Sequence, residues 1–305
     1  MRWAVPGPRP VAASPATAGA NSRCALIAAV TPAGADSSTA NRRAFTPERR
    51  YSAATSLDCS SSCPESAHAS VAAPGVDIAL IRALGLDAGV ERVHVGFMGC
   101  QGALNGLRVA RALALASPNA RVLLCCVELC GLHLQYSGEP DLVVANSLFA
   151  DGAAAAVVGI ADGGQAWRLA ASGAALLPDS LDAMTWSIGD HGFTMTLSPR
   201  VPALIEAHLG PWLAGWLARH GLAIGDVASW AIHPGGTRVV GAVERALGLD
   251  ARAGAAAREV LAEHGNMSSP TVLFVLERLR ARGAATPCVA LAFGPGLSVE
   301  AALLA

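Results

Sequence analysis

The sequence has no lysine, so all 22 of its strongly basic side chains are arginine. That absence excludes a Schiff-base lysine, a pyridoxal-phosphate anchor and a phosphate-loop lysine. Charge is scarce as well: 15% of residues are charged and the net charge is -1. Such a balance gives no electrostatic footprint for nucleic acid or an anionic membrane. No apolar run reaches the roughly 18 to 20 residues that a membrane-spanning helix requires. The short Cys24 to Val30 run lies behind a Pro/Ala/Ser-rich stretch and makes a poor signal peptide. The expected partners are therefore small molecules and other protein subunits, with no nucleic acid and no membrane.

A disulfide framework is also lacking. Eight cysteines are present, at 24, 59, 63, 100, 125, 126, 130 and 288, and several lie inside apolar strands. Their placement predicts a reducing, cytoplasmic setting. Cys59 and Cys63 stand four apart, but no further Cys or His follows at metal-ligand spacing, so no metal is expected there.

A hydrophobic fraction of 52% over 305 residues supplies an ample core for one large domain or two smaller ones. Residues 1–66 are rich in Ala, Ser, Pro and Arg, with no useful periodicity, and are expected to be irregular and unassigned to a domain. From Ala73 the pattern sharpens. Apolar residues at helical spacing run from Val76 to Leu84. A strand over Val93 to Met98 enters Gly99-Cys100-Gln101-Gly102, and a helix over Ala103 to Ala116 and a buried strand over Val122 to Val127 follow. Cys100 thus stands at a strand-to-helix turn, where flanking glycines permit a sharp backbone and the helix N-terminus favours a thiolate. The competing reading is a small apolar core residue.

Further on, a helix over Leu142 to Leu148 precedes a strand over Ala153 to Ile160. Strands over Trp167 to Leu177 and near Thr194 to Leu197 lead to a long helix from Val201 to Arg219. Strand Ser229 to Ile232 then ends at His233-Pro234-Gly235-Gly236, and a helix covers Thr237 to Leu247. After a helix over Ala255 to Glu263, Gly265-Asn266-Met267-Ser268-Ser269 leads into another, with Ser269 as N-cap and Pro270 at the first helical position. Strands over Cys288 to Phe293 and Leu297 to Leu304 close the chain around Gly294-Pro295-Gly296. The repeated order predicts a duplicated α/β unit, with halves at 67–165 and 166–305.

Three turns carry chemistry: the one at Cys100, the one at His233 and the one at Asn266. A cysteine nucleophile needs a group that stabilises its thiolate, and acyl chemistry needs donors aimed at a developing oxyanion. His233 and Asn266 are of those types, although each taken singly also suits a structural turn.

With Gly99-Cys100, Trp230 to Gly236, Gly265 to Ser269, Phe293 to Glu300 and Leu148 to Ala155, the chain resembles the type III polyketide synthases, the chalcone and stilbene synthase family. The resemblance implies a thiolase-like αβαβα sandwich of two duplicated halves, the first of them incomplete, and a homodimer. It implies an acyltransferase that condenses an acyl-CoA starter with malonyl-CoA by decarboxylative Claisen condensation, giving an alkylpyrone, alkylresorcinol or chalcone-like polyketide. Coenzyme A thioesters are its substrates and no cofactor is expected. Cys100 matches the acyl-accepting nucleophile, and His233 and Asn266 match the pair that activates it and holds the thioester and enolate oxygens. On the substrate side, Phe149 matches a gatekeeping phenylalanine, a second gatekeeper falls within Phe193 to Met195, and Cys130, His133 and Ser268 fall at pocket positions. His233 as imidazolium would lower the Cys100 thiol pKa. Small residues at Ala145, Ala150, Gly152 and Ala153 are expected in the cavity wall and favour a fatty acyl starter. Two other readings are a ketoacyl synthase III type enzyme performing one condensation and a non-catalytic remnant; His233-Pro234 and Gly294-Pro295-Gly296 argue against the first.

Overall fold

The computed structural model describes residues 75–134, 136, 138, 140–160, 167–189 and 192–305, with the backbone alone at 24–29, 51–57, 140–141, 189 and 192–194. Its strands are β1 (Cys24–Ala29), β2 (Tyr51–Leu57), β3 (Glu91–Val95), β4 (Arg121–Glu128), β5 (Gly152–Ile160), β6 (Trp167–Leu176), β7 (Met184–Gly189), β8 (Gly192–Leu197), β9 (Ser229–Ile232), β10 (Cys288–Gly294) and β11 (Ser298–Leu304). The helices are α1 (Val76–Leu84), α2 (Gly102–Ala116), α3 (Pro140–Leu148), α4 (Val201–Ala218), α5 (Thr237–Leu247), α6 (Ala255–His264) and α7 (Pro270–Ala281).

Nine of these strands form one sheet in the order β3-β2-β4-β5-β1-β6-β11-β10-β9, and β7 pairs with β8 as a separate hairpin. One plan occurs twice. Helix α2 precedes the antiparallel pair β4 and β5, and helix α7 precedes the antiparallel pair β10 and β11. In each half the strand after the helix also pairs in parallel with an earlier one, β4 with β2 and β10 with β9. The halves join where Ala25 and Leu26 of β1 pair with Arg168 and Trp167 of β6.

Helices α2 and α7 lie between the halves, each packing on β4, β5 and β10 and reaching β11 or β9 respectively. Sequence explains this layer. Residues Pro270 to Leu276 of α7 are all buried, as expected of a helix that is apolar around most of its circumference. Strand β4 reads Arg-Val-Leu-Leu-Cys-Cys-Val-Glu and is covered on both faces, the reason it is continuously apolar and not alternating.

Three expectations change. Strand β3 ends at Val95, short of Met98, because Phe97 and Gly99 take φ values of 61° and 59°, which break extended pairing. Strand β7 is an addition: Met184–Gly189 pairs across the hairpin with β8. Within 1–66, read as irregular, β1 and β2 occupy interior sheet positions, so the first half contributes five strands. Among the described residues, no helix is long and apolar enough to cross a membrane.

Candidate active site

Cys100 sits in a single 3-10 turn, Gly99–Gln101, directly ahead of α2. It is 9% exposed and opens onto a cavity of about 610 Å³ whose lining also includes His233, Asn266, Phe149, Cys130, His133 and Ser268. The three turns singled out in the sequence therefore converge on one space. Three of the four non-glycine residues with positive φ among the described ones, Phe97, Ser268 and Leu297, stand in turns around it. Such conformations cost free energy and persist where the surroundings over-determine them.

Asn266 comes from the turn ahead of α7 and is 1% exposed. The Ser268 peptide N–H donates to its Oδ1 at 2.9 Å. That bond, made possible by the left-handed backbone of Ser268, fixes which end of the amide is oxygen. The sulfur then stands beside both ends of the amide, 3.9 Å from the Nδ2 donor and 4.0 Å from Oδ1, which can accept the thiol proton. The backbone of Asn266 is clamped to the other half of the molecule: its N–H donates to Leu148 O at 2.9 Å, and its own carbonyl accepts the Ala150 N–H at 2.9 Å. These bonds form a parallel bridge between Asn266 and Phe149, which places the Phe149 ring at the cavity. Gly152 lets the two segments approach, since a Cβ there would stand 2.5 Å from Met267 Sδ.

His233 follows β9, held by its N–H donating to Leu291 O at 2.8 Å. Its ring is 1% exposed and both ring nitrogens lack a hydrogen-bond partner among the described residues. Burial pushes the imidazole from 6.5 down to about 3. Desolvation of its charge favours the neutral ring, which opposes the imidazolium expected from sequence.

Cys130 and His133 occupy the 3-10 turn Cys130–His133 beyond β4, pinned where the Gly131 N–H donates to Asp151 Oδ1 at 2.6 Å. The His133 ring meets Trp186 of β7 edge-on, with centroids 5.4 Å apart. Within Phe193 to Met195, Met195 lines the cavity. Of the small residues expected in the wall, Ala145 alone is there. Ala150, Gly152 and Ala153 are not: Ala150 lies beside Gly265 in the bridge to Asn266, and Gly152 and Ala153 open β5, with Gly152 against Met267; Leu142, Met184, Trp186, Leu197 and Val239 line the cavity instead. Ser269 occupies the N-cap position of α7 but makes no capping bond; its hydroxyl donates instead to Glu128 Oε1 at 2.5 Å.

Sequence reasoning missed Glu128 and Trp186. Glu128 is 1% exposed and lines the cavity. Its signal was a lone carboxylate closing an apolar strand, where burial demands a partner. Trp186 depended on finding β7. Cys59 and Cys63 lie outside the described residues.

Residues 63–162 match the N-terminal domain of chalcone and stilbene synthases, and residues 168–305 match the C-terminal domain. The alpha-pyrone synthesis polyketide synthase-like Pks18 of Mycobacterium tuberculosis is 37% identical over 240 residues, 76% of this chain and 61% of that protein. The 1,3,6,8-tetrahydroxynaphthalene synthase of Streptomyces peucetius subsp. caesius is 40% identical over 241 residues, 77% of this chain and 64% of that protein. The chain thus spans under two thirds of the length of these curated relatives. Among solved structures, PKS-I from the brown alga Ectocarpus siliculosus superposes with a TM-score of 0.79 at 32% identity, covering 86% of this chain and 70% of that one. The bacterial type III synthase of 1,3,6,8-tetrahydroxynaphthalene from Streptomyces coelicolor A3(2) gives 0.74 at 28%, covering 84% and 71%. The fold is thiolase-like, and the two matched domains place the chain in the chalcone and stilbene synthase family, the type III polyketide synthases.

Proposed function

We propose that the chain is an acyltransferase that loads an acyl group from an acyl-CoA onto Cys100 and extends it with malonyl-CoA to a polyketide. The carrying observation is the convergence of the Asn266 Nδ2 donor, 3.9 Å from the Cys100 sulfur, with a buried His233 whose ring nitrogens lack partners. In the first step Sγ attacks the thioester carbonyl as the thiol proton passes to His233, and the coenzyme A thiolate leaves and takes up that proton. Malonyl-CoA then loses carbon dioxide. The electron pair of the broken C–C bond becomes an enolate whose oxygen Asn266 Nδ2 and a protonated His233 nitrogen hold. The enolate carbon attacks the acyl carbonyl on Cys100, the C–S bond breaks, and the extended chain leaves on coenzyme A. The chemistry is supplied by these side chains and the coenzyme A thioesters, without a cofactor.

The cavity wall favours an aliphatic starter, since Leu142, Met184, Met195, Leu197 and Val239 offer apolar surface along it. An alkylpyrone or alkylresorcinol product is the corresponding reading. Phe149, Cys130, His133 and Ser268 are assigned to substrate contact, and the halves to residues 67–165, joined by β1 and β2 from 1–66, and to residues 166–305. A homodimer is supported by the sheet ending at β3, after which Phe97 and Met98 are exposed apolar side chains, Phe97 at 66%.

Intact-protein and peptide mass spectrometry after incubation with a long aliphatic acyl-CoA tests the reading. An acyl adduct on Cys100 and products carrying several malonyl extensions are expected. No adduct would leave a non-catalytic remnant, a single extension would refute polyketide synthesis, and a strong preference for coumaroyl-CoA would reverse the starter assignment.

A further inference from the structure

Gln101 follows Cys100 in the chain yet does not line the cavity. Its side chain is buried, 5% exposed, and turns toward β11. There its Nε2 donates to Ser298 Oγ at 2.8 Å, and the Ser298 hydroxyl donates onward to Pro295 O at 3.1 Å. The hydroxyl has one proton, already given to Pro295, so it is the Gln101 nitrogen and not the oxygen that faces Ser298. The other end of the amide, Oε1, is buried without a hydrogen-bond partner.

This bond lies where two turns touch. Gly99 has φ of 59°, and a Cβ there would stand 2.8 Å from Pro295 Cδ. At Gly294 a Cβ would stand 2.5 Å from Met98 O and 2.6 Å from Gln101 Cδ. The nucleophile turn and the Gly294-Pro295-Gly296 turn are thus in backbone contact, and Pro295 shares the cavity lining with Cys100. One helical turn further on, Asn105 Nδ2 donates to Glu300 Oε1 at 2.8 Å, and Arg108 pairs with the same carboxylate. Gln101, Asn105 and Arg108 form one face of the nucleophile helix, docked on Ser298 and Glu300 of one face of β11. Gln101 is the end of that seam nearest the sulfur.

Stability alone does not call for an amide here. A buried polar group with an unpaired oxygen is less favourable than an apolar side chain of the same shape. We propose that Gln101 is a positioning residue: its bond to Ser298 latches the nucleophile turn to the Gly294-Pro295-Gly296 turn and sets where the Cys100 sulfur stands relative to Asn266 and His233. The proposal rests on the reading of Cys100 as acyl acceptor.

The test compares Gln101→Met, which keeps length and removes the hydrogen bond, with Ser298→Ala, Ser298→Thr and the Gln101→Met/Ser298→Ala double variant in the full chain. Steady-state condensation, the rate of Cys100 alkylation by iodoacetamide and the thermal midpoint are measured together. Gln101→Met is expected to hold its midpoint, to lower kcat about tenfold with KM unchanged and to slow Cys100 alkylation; these are the effects of a misplaced nucleophile. Ser298→Ala is expected to match it, Ser298→Thr to retain wild-type kcat, and the double variant to lose no more than either single one. Should Gln101→Met fail to fold, the Ser298 pair carries the same comparison. Wild-type kcat and alkylation in Gln101→Met or Ser298→Ala, or additive losses in the double variant, would overturn the latch. Condensation by Cys100→Ala at the wild-type rate would overturn the nucleophile assignment and the latch with it, so the two failures are distinct.

Discussion

Asn266 presents its amide nitrogen to the Cys100 sulfur at 3.9 Å, although 166 positions separate the two in the chain. Its oxygen accepts the Ser268 N–H and stands 4.0 Å from the same sulfur, so that bond fixes the amide's orientation and leaves Nδ2 as the end able to donate to an oxyanion. A preorganised donor matters most where charge develops, and loss of one oxyanion contact typically costs about 100- to 1000-fold in rate. Asn266→Ala is accordingly expected to reduce malonyl-CoA decarboxylation by that order, while Cys100→Ala abolishes polyketide formation and retains slow decarboxylation. Carbon dioxide release and product analysis on both variants check this, and an unchanged decarboxylation rate in Asn266→Ala would remove Asn266 from the site.

The cysteines should divide by environment. Burial pushes Cys125 up to about 12 and Cys288 up to about 11, so neither forms thiolate at neutral pH. Cys100 and Cys130 face the cavity. Brief iodoacetamide treatment of the native protein at pH 7.5, followed by peptide mapping, is expected to label Cys100 and Cys130 and to spare Cys125 and Cys288. Labelling of Cys125 or Cys288 at a comparable rate would contradict the packing of β4 and β10.

His233 makes stability depend on acid. Its folded pKa of about 3 lies below the ordinary 6.5, so between those values the unfolded chain binds the extra proton and stability falls as the pH falls. At roughly 1.4 kcal/mol per unit, the full effect is on the order of 5 kcal/mol. Glu300 acts in the opposite direction: burial raises its carboxyl above 4.5, so its contribution is present at low pH and is lost as the pH rises through the raised value. Denaturant unfolding at several pH values should therefore show a steeper acid loss in the wild type than in His233→Gln, in which the Glu300 contribution remains. Equal slopes would mean that His233 is not held neutral.

Much of this site was legible because its residues sit at turns. Cys100, His233 and Asn266 each stand where a regular element stops, and glycine or proline beside them marks the break in sequence. Helix α5 and strand β9 fall at the expected residues for the same reason, their apolar periodicity being bounded by such breaks. What could not be read depends on contacts across the chain. Part of the cavity wall comes from β7, which among the described residues pairs only with β8, and from the ring of His133 against Trp186, a contact spanning both halves. The state of the His233 ring was not legible because charge cost follows burial, a tertiary property. Strands β1 and β2 were missed because short, alanine-rich and serine-rich segments fit a sheet interior only through their neighbours.

The last of these points makes a prediction about residues 1–66. Strand β2 pairs in parallel with both β3 and β4, and β1 lies between β5 and β6. Removing them would leave four strands with unpaired N–H and C=O groups and would detach β3, the strand leading into the Cys100 turn, from its only partner in the sheet order. An interior strand also carries sheet pairing on both sides that a terminal extension would not. A variant lacking residues 1–66 is therefore expected to be insoluble or inactive, and brief proteolysis of the intact chain should leave the segments 24–29 and 51–57 protected. Recovery of a soluble fragment beginning near Ala73 that still acylates Cys100 would show that β1 and β2 are dispensable, and that the nucleophile turn is held by α2 and the Gly294-Pro295-Gly296 turn alone.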